Sequence, residues 1–221
     1  MSDPLGMKQV VFMRSTPSDS DFLSRGSMPL IYFLRHGQTG WNAERRIQGH
    51  LDAPLNDLGR AQAARNGRAL ADIVGDASAF DYVSSPLVRA SETMEIVRRE
   101  LRLDPKGYRT DLRLREYNLG DWQGYLYDEI VRDFPERVAE QQRDPWNFLY
   151  PGEGGESFVM LSARVLAWLG EIDRDTIATA HGGVMRVLQR HFLGLDAEAT
   201  FKLDVPQDKV LRVQNGALSW L

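Results

Sequence analysis

Four side chains in this chain sit where a strand end would place them and carry the charge or lone pairs to handle an anion. Arg35 and His36 directly follow the apolar run Leu30 to Leu34 (LIYFL). Arg89 lies just past the turn YVSSP, and His181 follows the run TIATA. Gly182 and Gly183 come next and open a helix, whose first N–H groups are unpaired and lie at a positive dipole end. In open α/β sheets, ligands bind beyond the carboxyl ends of the strands. If these strands are neighbours, two arginines and two histidines converge on one pocket, which suits a phosphoryl group. The remaining histidines, His50 and His191, have no such placement and read as ordinary surface or core residues.

The elements that must position these groups follow from periodicity. LIYFL is a continuous apolar run, as in a strand buried on both faces. Residues 56–74 are alanine-rich and helical, with Asn56 or Asp57 as N-cap. Tyr82 to Ser84 form a second strand, and Pro86 opens a helix with Ala90, Met94, Val97 and Leu101 on one stripe. Residues 108–115 are ambiguous, with a short strand as one reading. Phe158, Leu161, Val165, Trp168 and Ile172 mark an amphipathic helix, TIATA a strand, and Val184 to Phe192 another helix. Lys209 to Leu221 reads as a hairpin turning at Asn215-Gly216. Strands alternating with helices imply a mostly parallel central sheet covered on both faces. Residues 117–155, broken by proline and glycine, read as a lid or cap insertion. Residues 1–27 read as a flexible N-terminal extension, with one domain over 28–221.

The local sequences are more specific than the placement. LRHGQTGWN (Leu34 to Asn42), SSPLVRASET (Ser84 to Thr93), LREYNLGDWQG (Leu114 to Gly124) and TAHGG (Thr179 to Gly183) occur in that order. Together they resemble the signature of the histidine phosphatase superfamily, the phosphoglycerate mutase-like family. The resemblance implies an α/β fold, a three-layer α/β/α sandwich. It implies His36 as the phosphorylated nucleophile and Glu116 as the proton donor. It implies Arg35, Asn42, Arg89 and His181 around the phosphoryl group. Gln48 and Gly49, in RRIQGHLDAPL, match a loop that contacts substrate, and Gly182 at the helix start joins that set. Gly155, Glu156 and Ser157 in PGEGGES are given no direct catalytic role, with Glu156 and Ser157 as caps of the following helix.

The implied chemistry has requirements. His36 must be neutral on the attacking nitrogen, which nearby arginines favour, and its other ring nitrogen should donate to a backbone carbonyl. Arg35, Arg89 and a protonated His181 would stabilise the transferring phosphoryl, filling the place of a metal. Glu116 would protonate the leaving oxygen if burial keeps it neutral. Its alternative is a surface carboxylate paired with Arg113 or Arg115.

Composition bounds the partners. The 221 residues carry net charge -4 and no cysteine. Disulfides and thiol chemistry are excluded, and no basic footprint marks a nucleic-acid partner. No apolar run nears the roughly 20 residues of a membrane span. The expectation is a cytoplasmic phosphatase of small phosphorylated metabolites with no cofactor and no metal, acting on neither nucleic acid nor membrane. A homodimer is the assembly to test.

Two other functions stay in view. One is a phosphoglycerate mutase, a branch in which arginine typically follows the proton donor. Here Tyr117 follows Glu116, and 125–150 contains no adjacent basic pair. The other is a non-catalytic phosphate-binding module. Substrate choice is expected to lie in 117–155, where Tyr117, Trp122, Tyr125, Tyr127, Trp146, Phe148 and Tyr150 gather. They read either as a pocket lining or, with more weight, as the small core beneath a lid.

Overall fold

Ile31, Tyr32, Phe33 and Leu34 are all buried, so β1 (Ile31–Arg35) lies covered on both faces. The computed structural model describes residues 28–221; the extension expected at 1–27 lies outside the described residues. After β1 come α1 (Gly40–Glu44), α2 (Asp57–Ala71), β2 (Asp81–Ser84), α3 (Val88–Glu100) and β3 (Arg109–Thr110). Then follow α4 (Tyr127–Asp133), α5 (Pro135–Arg143), α6 (Phe158–Leu169), β4 (Thr176–Ala180), α7 (Gly182–Leu193) and α8 (Ala197–Phe201). The hairpin β5 (Val210–Gln214) and β6 (Ala217–Trp220) ends the chain, turning at Asn215 and Gly216, both with positive φ.

The sheet order is β3-β2-β4-β1-β5-β6, with the first four strands parallel and the hairpin antiparallel. Alternate residues of the strands face opposite layers. Ile31, Phe33, Val83 and Ala178 pack with α6 and α7 through Phe158, Leu161, Trp168, Val184 and Leu188. Tyr32, Leu34, Tyr82 and Ile177 pack with α2 and α3 through Leu70, Met94 and Val97. The result is the three-layer α/β/α sandwich. Each fully buried large side chain contributes roughly 1.5–3 kcal/mol, and Trp168 adds an edge-on contact to Phe33 with ring centroids 5.5 Å apart.

This topology locates the crevice. From β1 the chain passes to β2 by way of α2 on one face. From β4 it passes to β5, on the other side, by way of α7 on the opposite face. Adjacent strands whose connections diverge leave a cleft at their carboxyl ends.

The ambiguous 108–115 stretch holds only two paired strand residues, followed by a 3-10 turn at Leu112–Leu114. The 117–155 stretch has its own small core of Trp122, Ile130, Val138, Phe148 and Tyr150, against which Tyr117 packs. Trp146 joins the main core beside Phe158, whereas Tyr125 and Tyr127 are exposed. The aromatic cluster is therefore mostly the filling of a cap. Among the described residues, no helix is long and apolar enough to cross a membrane.

Candidate active site

The ladder between β1 and β4 runs one residue past the strands, because His36 N–H donates to the Ala180 carbonyl at 3.0 Å. Likewise Ser85 N–H donates to the Thr179 carbonyl at 2.9 Å. His36, Ser85 and His181 are thus set side by side at the carboxyl end of β1, β2 and β4. The His36 and His181 rings lie 5.2 Å apart, centroid to centroid, and both are buried.

His36 Nδ1 lies 2.8 Å from the Gly37 carbonyl oxygen. A carbonyl can only accept, so Nδ1 carries the proton and Nε2 keeps the lone pair. The turn that makes this possible is tight. A Cβ on Gly37 would sit 2.2 Å from the Gly59 carbonyl oxygen, and one on Gly59 would sit 2.0 Å from that of Gln38. Two glycines let the loop after β1 press directly onto the first turn of α2. Burial, then the charges of Arg89 and Arg35, push the His36 pKa well below its ordinary value, so the ring is neutral near pH 7.

Arg89 is 1% exposed. Its Nη1 donates to the Leu51 carbonyl at 3.1 Å and to Asp52 Oδ1 at 3.2 Å, and its Nη2 donates to the Gly49 carbonyl at 2.7 Å. A guanidinium has five N–H donors. Those three bonds leave Nε–H and one Nη2–H for an anion. Arg35 Nη1 donates to the Val205 carbonyl at 2.7 Å. Among the described residues, Nε of Arg35, Nε of Arg89 and Nδ1 of His181 are buried with no hydrogen-bond partner. Such groups are costly to leave unpaired and mark a place built for oxygen acceptors.

Asn42 belongs to α1, where it forms a capping box with Thr39. Its Oδ1 accepts from Thr39 N–H at 3.1 Å and from Gln207 Nε2 at 3.2 Å, so its NH₂ group is the part able to donate to an anion. Gln48 is buried, with Oε1 accepting from the Thr39 hydroxyl at 3.1 Å. Gly182 lies against Arg35, since a Cβ there would be 3.6 Å from Arg35 Nε. Gly49, whose carbonyl fixes Arg89, completes the group. Every residue expected around the phosphoryl is therefore brought to this one crevice or to the loop that shapes it.

Glu116 reaches the same place from another direction. Its Oε2 accepts from Gly183 N–H at 3.1 Å, at the N-terminus of α7, and its Oε1 accepts from Tyr117 N–H at 3.2 Å. A Cβ on Gly183 would lie 2.3 Å from Glu116 Oε1, so the glycine is what lets the carboxylate approach. Arg113 pairs with Asp111 and Glu171 instead of Glu116.

Glu116 itself is half-buried. Three expectations need correction. His181 is not held protonated: burial, then Arg89 and His36, push its pKa well below the ordinary value. Ser157 does cap α6, but Glu156 does not; its carboxylate instead holds Arg164 and accepts from Asn118 N–H at 2.8 Å. His50 is no bystander, because its Nε2 donates to the Glu116 carbonyl at 2.7 Å. His191 keeps its ordinary reading, edge-on to Phe192.

Other contributors carry no sequence signal of their own. Ser85 Oγ lies 2.7 Å from His181 Nε2, and a hydroxyl can serve either tautomer there. Asp52 pairs with Arg89 and also accepts from Val88 N–H, capping α3 from a distant segment. Gln207 donates to the His36 carbonyl at 3.1 Å. Ser85 stands inside a recognised block, and Asp52 follows the Gln48 loop directly. Gln207 has nothing local to mark it.

The arrangement is a cationic cleft that can bind an oxyanion and present a neutral imidazole to it. Residues 31–218 match the model of the histidine phosphatase superfamily, branch 1. The chain is 36% identical over 179 residues to a glucosyl-3-phosphoglycerate phosphatase of Mycobacterium tuberculosis, covering 75% of each. It is 40% identical over 165 residues to phosphoglycerate mutase-like protein 4 of Arabidopsis thaliana, covering 72% of this chain and 68% of that one. Among solved structures, a mycobacterial glucosyl-3-phosphoglycerate phosphatase in complex with VO3 aligns with TM-score 0.67 and 30% identity, over 87% of this chain and 96% of that one. An α-ribazole phosphatase from Shigella flexneri aligns with TM-score 0.67 and 25% identity, over 86% and 93%. With the match spanning nearly all of the described residues, the chain belongs to branch 1 of the histidine phosphatase superfamily.

Proposed function

We propose that this protein is a metal-independent phosphatase of small phosphomonoesters that works through a phosphohistidine on His36, with Glu116 as proton donor. The observation that carries the reading is the tautomer of His36. With Nδ1–H tied to the Gly37 carbonyl and the ring neutral between two arginines, Nε2 is a nucleophile without the charge that an anionic ester repels.

Nε2 attacks phosphorus as the bond to the ester oxygen breaks, and Glu116 gives its proton to that oxygen, releasing an alcohol. Glu116, now a carboxylate, takes a proton from water. The resulting hydroxide displaces Nε2, giving inorganic phosphate and restoring the imidazole. Arg35, Arg89, Asn42 and Gln48 hold the non-bridging oxygens, with the N-terminus of α7 at Gly182 close by. His181 enters neutral, held so by burial and then by the charge of Arg89, and the arriving dianion opposes that charge. These cations take the part that a metal plays elsewhere. The name of the mycobacterial relatives suggests where to begin: glucosyl-3-phosphoglycerate is the first candidate in a metabolite panel.

Relatives also include a probable phosphoglycerate mutase of Salmonella typhi, 32% identical over 198 residues. Against that second reading, Tyr117 occupies the position after the proton donor and turns its ring into the cap core, edge-on to Tyr150 and Phe158. It offers no cation to a substrate carboxylate. Bisphosphoglycerate-dependent exchange of 2- and 3-phosphoglycerate would reverse the ranking.

The deciding experiment is His36→Ala with p-nitrophenyl phosphate in the presence of EDTA. Wild type should turn over unaffected by the chelator and yield an acid-labile, alkali-stable phosphoprotein. The variant should lose activity by on the order of 10⁴–10⁶-fold, the usual scale for a nucleophile. A variant that retained turnover would remove His36 from the mechanism.

A further inference from the structure

Glu116 stands in a stretch without strand or helix, between the 3-10 turn at Leu112–Leu114 and the one at Gly120–Trp122. Proton transfer in the transition state demands hydrogen-bond reach, so something else must hold this backbone. Arg164, on the second turn of α6, meets it. Its Nη1 donates to the carbonyls of Arg113 at 2.7 Å and Arg115 at 2.6 Å. Its Nη2 donates to the Glu116 carbonyl at 2.9 Å and to Glu156 Oε2 at 2.9 Å, and its Nε donates to Glu156 Oε1 at 2.9 Å. All five guanidinium donors are thereby engaged. Glu156 holds the fork bidentately and reaches Asn118 N–H, two residues past Glu116. Burial pushes the Glu156 carboxyl up, but the hydrogen bonds and charge of Arg164 outweigh it and hold the group below its ordinary value. His50 Nε2 donates to the same Glu116 carbonyl and lies 3.8 Å from Glu156 Oε2.

His50 also stands between Gly49 and Leu51, whose carbonyls both accept from Arg89. One tripeptide therefore touches the phosphate-binding arginine with its backbone and the proton donor's backbone with its side chain.

We propose that Arg164, clamped by Glu156 and assisted by His50, is the positioning unit of the proton donor, coupling Glu116 to the loop that orients Arg89. None of the three touches the reacting atoms. The inference rests on the phosphatase reading above, and it predicts a selective defect. A nitrophenolate departs from phosphorus without a proton, whereas an alkoxide must be protonated as it leaves. Loosening Glu116 should therefore slow phosphorylation of His36 by an alkyl phosphate while sparing phosphorylation by a nitrophenyl phosphate. Damage to the phosphate pocket would slow both.

The test is rapid-quench measurement of phosphoenzyme formation from p-nitrophenyl phosphate and from glycerol phosphate. In Arg164→Ala the alkyl ester should phosphorylate His36 about 10²-fold more slowly, the lower range for a general acid, and the nitrophenyl ester within about threefold of wild type. Hydrolysis of the phosphohistidine, which also needs Glu116, should then limit turnover and give a burst of nitrophenol. Arg164→Lys should fall between, since an ammonium has three donors and no fork. His50→Ala, a change in a side chain that is 21% exposed and outside the main core, should show the same selectivity at about tenfold and keeps the test open if Arg164→Ala does not fold. Equal slowing of both esters, or slowing of neither, overturns the positioning role. A wild type that forms no phosphoenzyme from either ester overturns the phosphatase reading itself, and with it this inference.

Discussion

His36 and His181 ride on the ends of adjacent strands, whereas Glu116 hangs in a segment with no ladder. The two halves of the site are built on different physics. The strand-end half takes its geometry from backbone pairing that the sheet enforces, extended one step by His36 N–H to the Ala180 carbonyl and by Ser85 N–H to the Thr179 carbonyl. The half that carries Glu116, the proposed proton donor, takes its geometry from side chains brought from α6, from the loop before it and from residue 50. Backbone pairing is set by the same residues that build the core. A side-chain clamp can be removed without touching the core, so the two halves should fail in different ways.

The largest effect short of removing His36 should come from the anion-binding half. Arg89→Lys keeps a cation but loses the fork that reaches Gly49, Leu51 and Asp52 while leaving donors for phosphate. We expect kcat/KM to fall by about 10²–10³-fold, equally for good and poor leaving groups, measured with nitrophenyl and alkyl esters. A loss confined to the alkyl ester would place Arg89 with the proton donor and erase the distinction between the halves.

The proton-donor half is sharpened by Gly183→Ala. A Cβ there meets Glu116 Oε1 at 2.3 Å, and also Leu161 Cδ2 at 2.9 Å and Tyr117 Cδ1 at 3.0 Å. The carboxylate is the far end of a flexible side chain, so it will give way first. Displacing it should cost about 10-fold to 10²-fold on alkyl phosphates and much less on nitrophenyl phosphate. Parallel losses would mean that the N-terminus of α7 itself has shifted and that phosphate binding is the casualty.

The same contrast explains what was legible in the sequence. LIYFL and TIATA are apolar throughout because both faces of those strands are covered, and a strand end is a fixed address for the next residue. His36 and His181 could therefore be placed from periodicity alone. Glu116 could not: its neighbours Arg113 and Arg115 invite a surface ion pair, and only the block LREYNLGDWQG pointed further. Arg164 lies on α6 outside the stripe of Phe158, Leu161, Val165 and Trp168, where an arginine is ordinarily solvated. Glu156 stands directly before the helix cap, where a carboxylate ordinarily serves the helix. His50 and Gln207 act across 66 and 171 residues of chain, beyond the reach of any local pattern. The protonation of His181 is illegible in the sequence for a related reason. Its charge depends on burial and on how closely Arg89 and Arg35 approach, and neither is written in TAHGG.

That last point leads to the smallest effect, which concerns stability. His36 and His181 both have folded pKa values well below 6.5, with burial the first cause and the arginines next. In the unfolded chain each would titrate near 6.5. As pH falls through 6.5 the unfolded state takes up protons that the folded state refuses, so stability present above that value is lost on acidification. Between pH 7 and pH 6 the loss should be about 0.7 kcal/mol per histidine. His36→Asn, whose Nδ2–H can still reach the Gly37 carbonyl, should lessen the drop by about that amount in urea melts at the two pH values. The strand-end half would then be a site held ready against its own stability, two bases kept uncharged first by burial and then by the neighbouring arginines. An unchanged slope would mean that His36 picks up its proton in the folded protein as easily as in water, and a charged ring cannot be the nucleophile that the Gly37 hydrogen bond otherwise prepares.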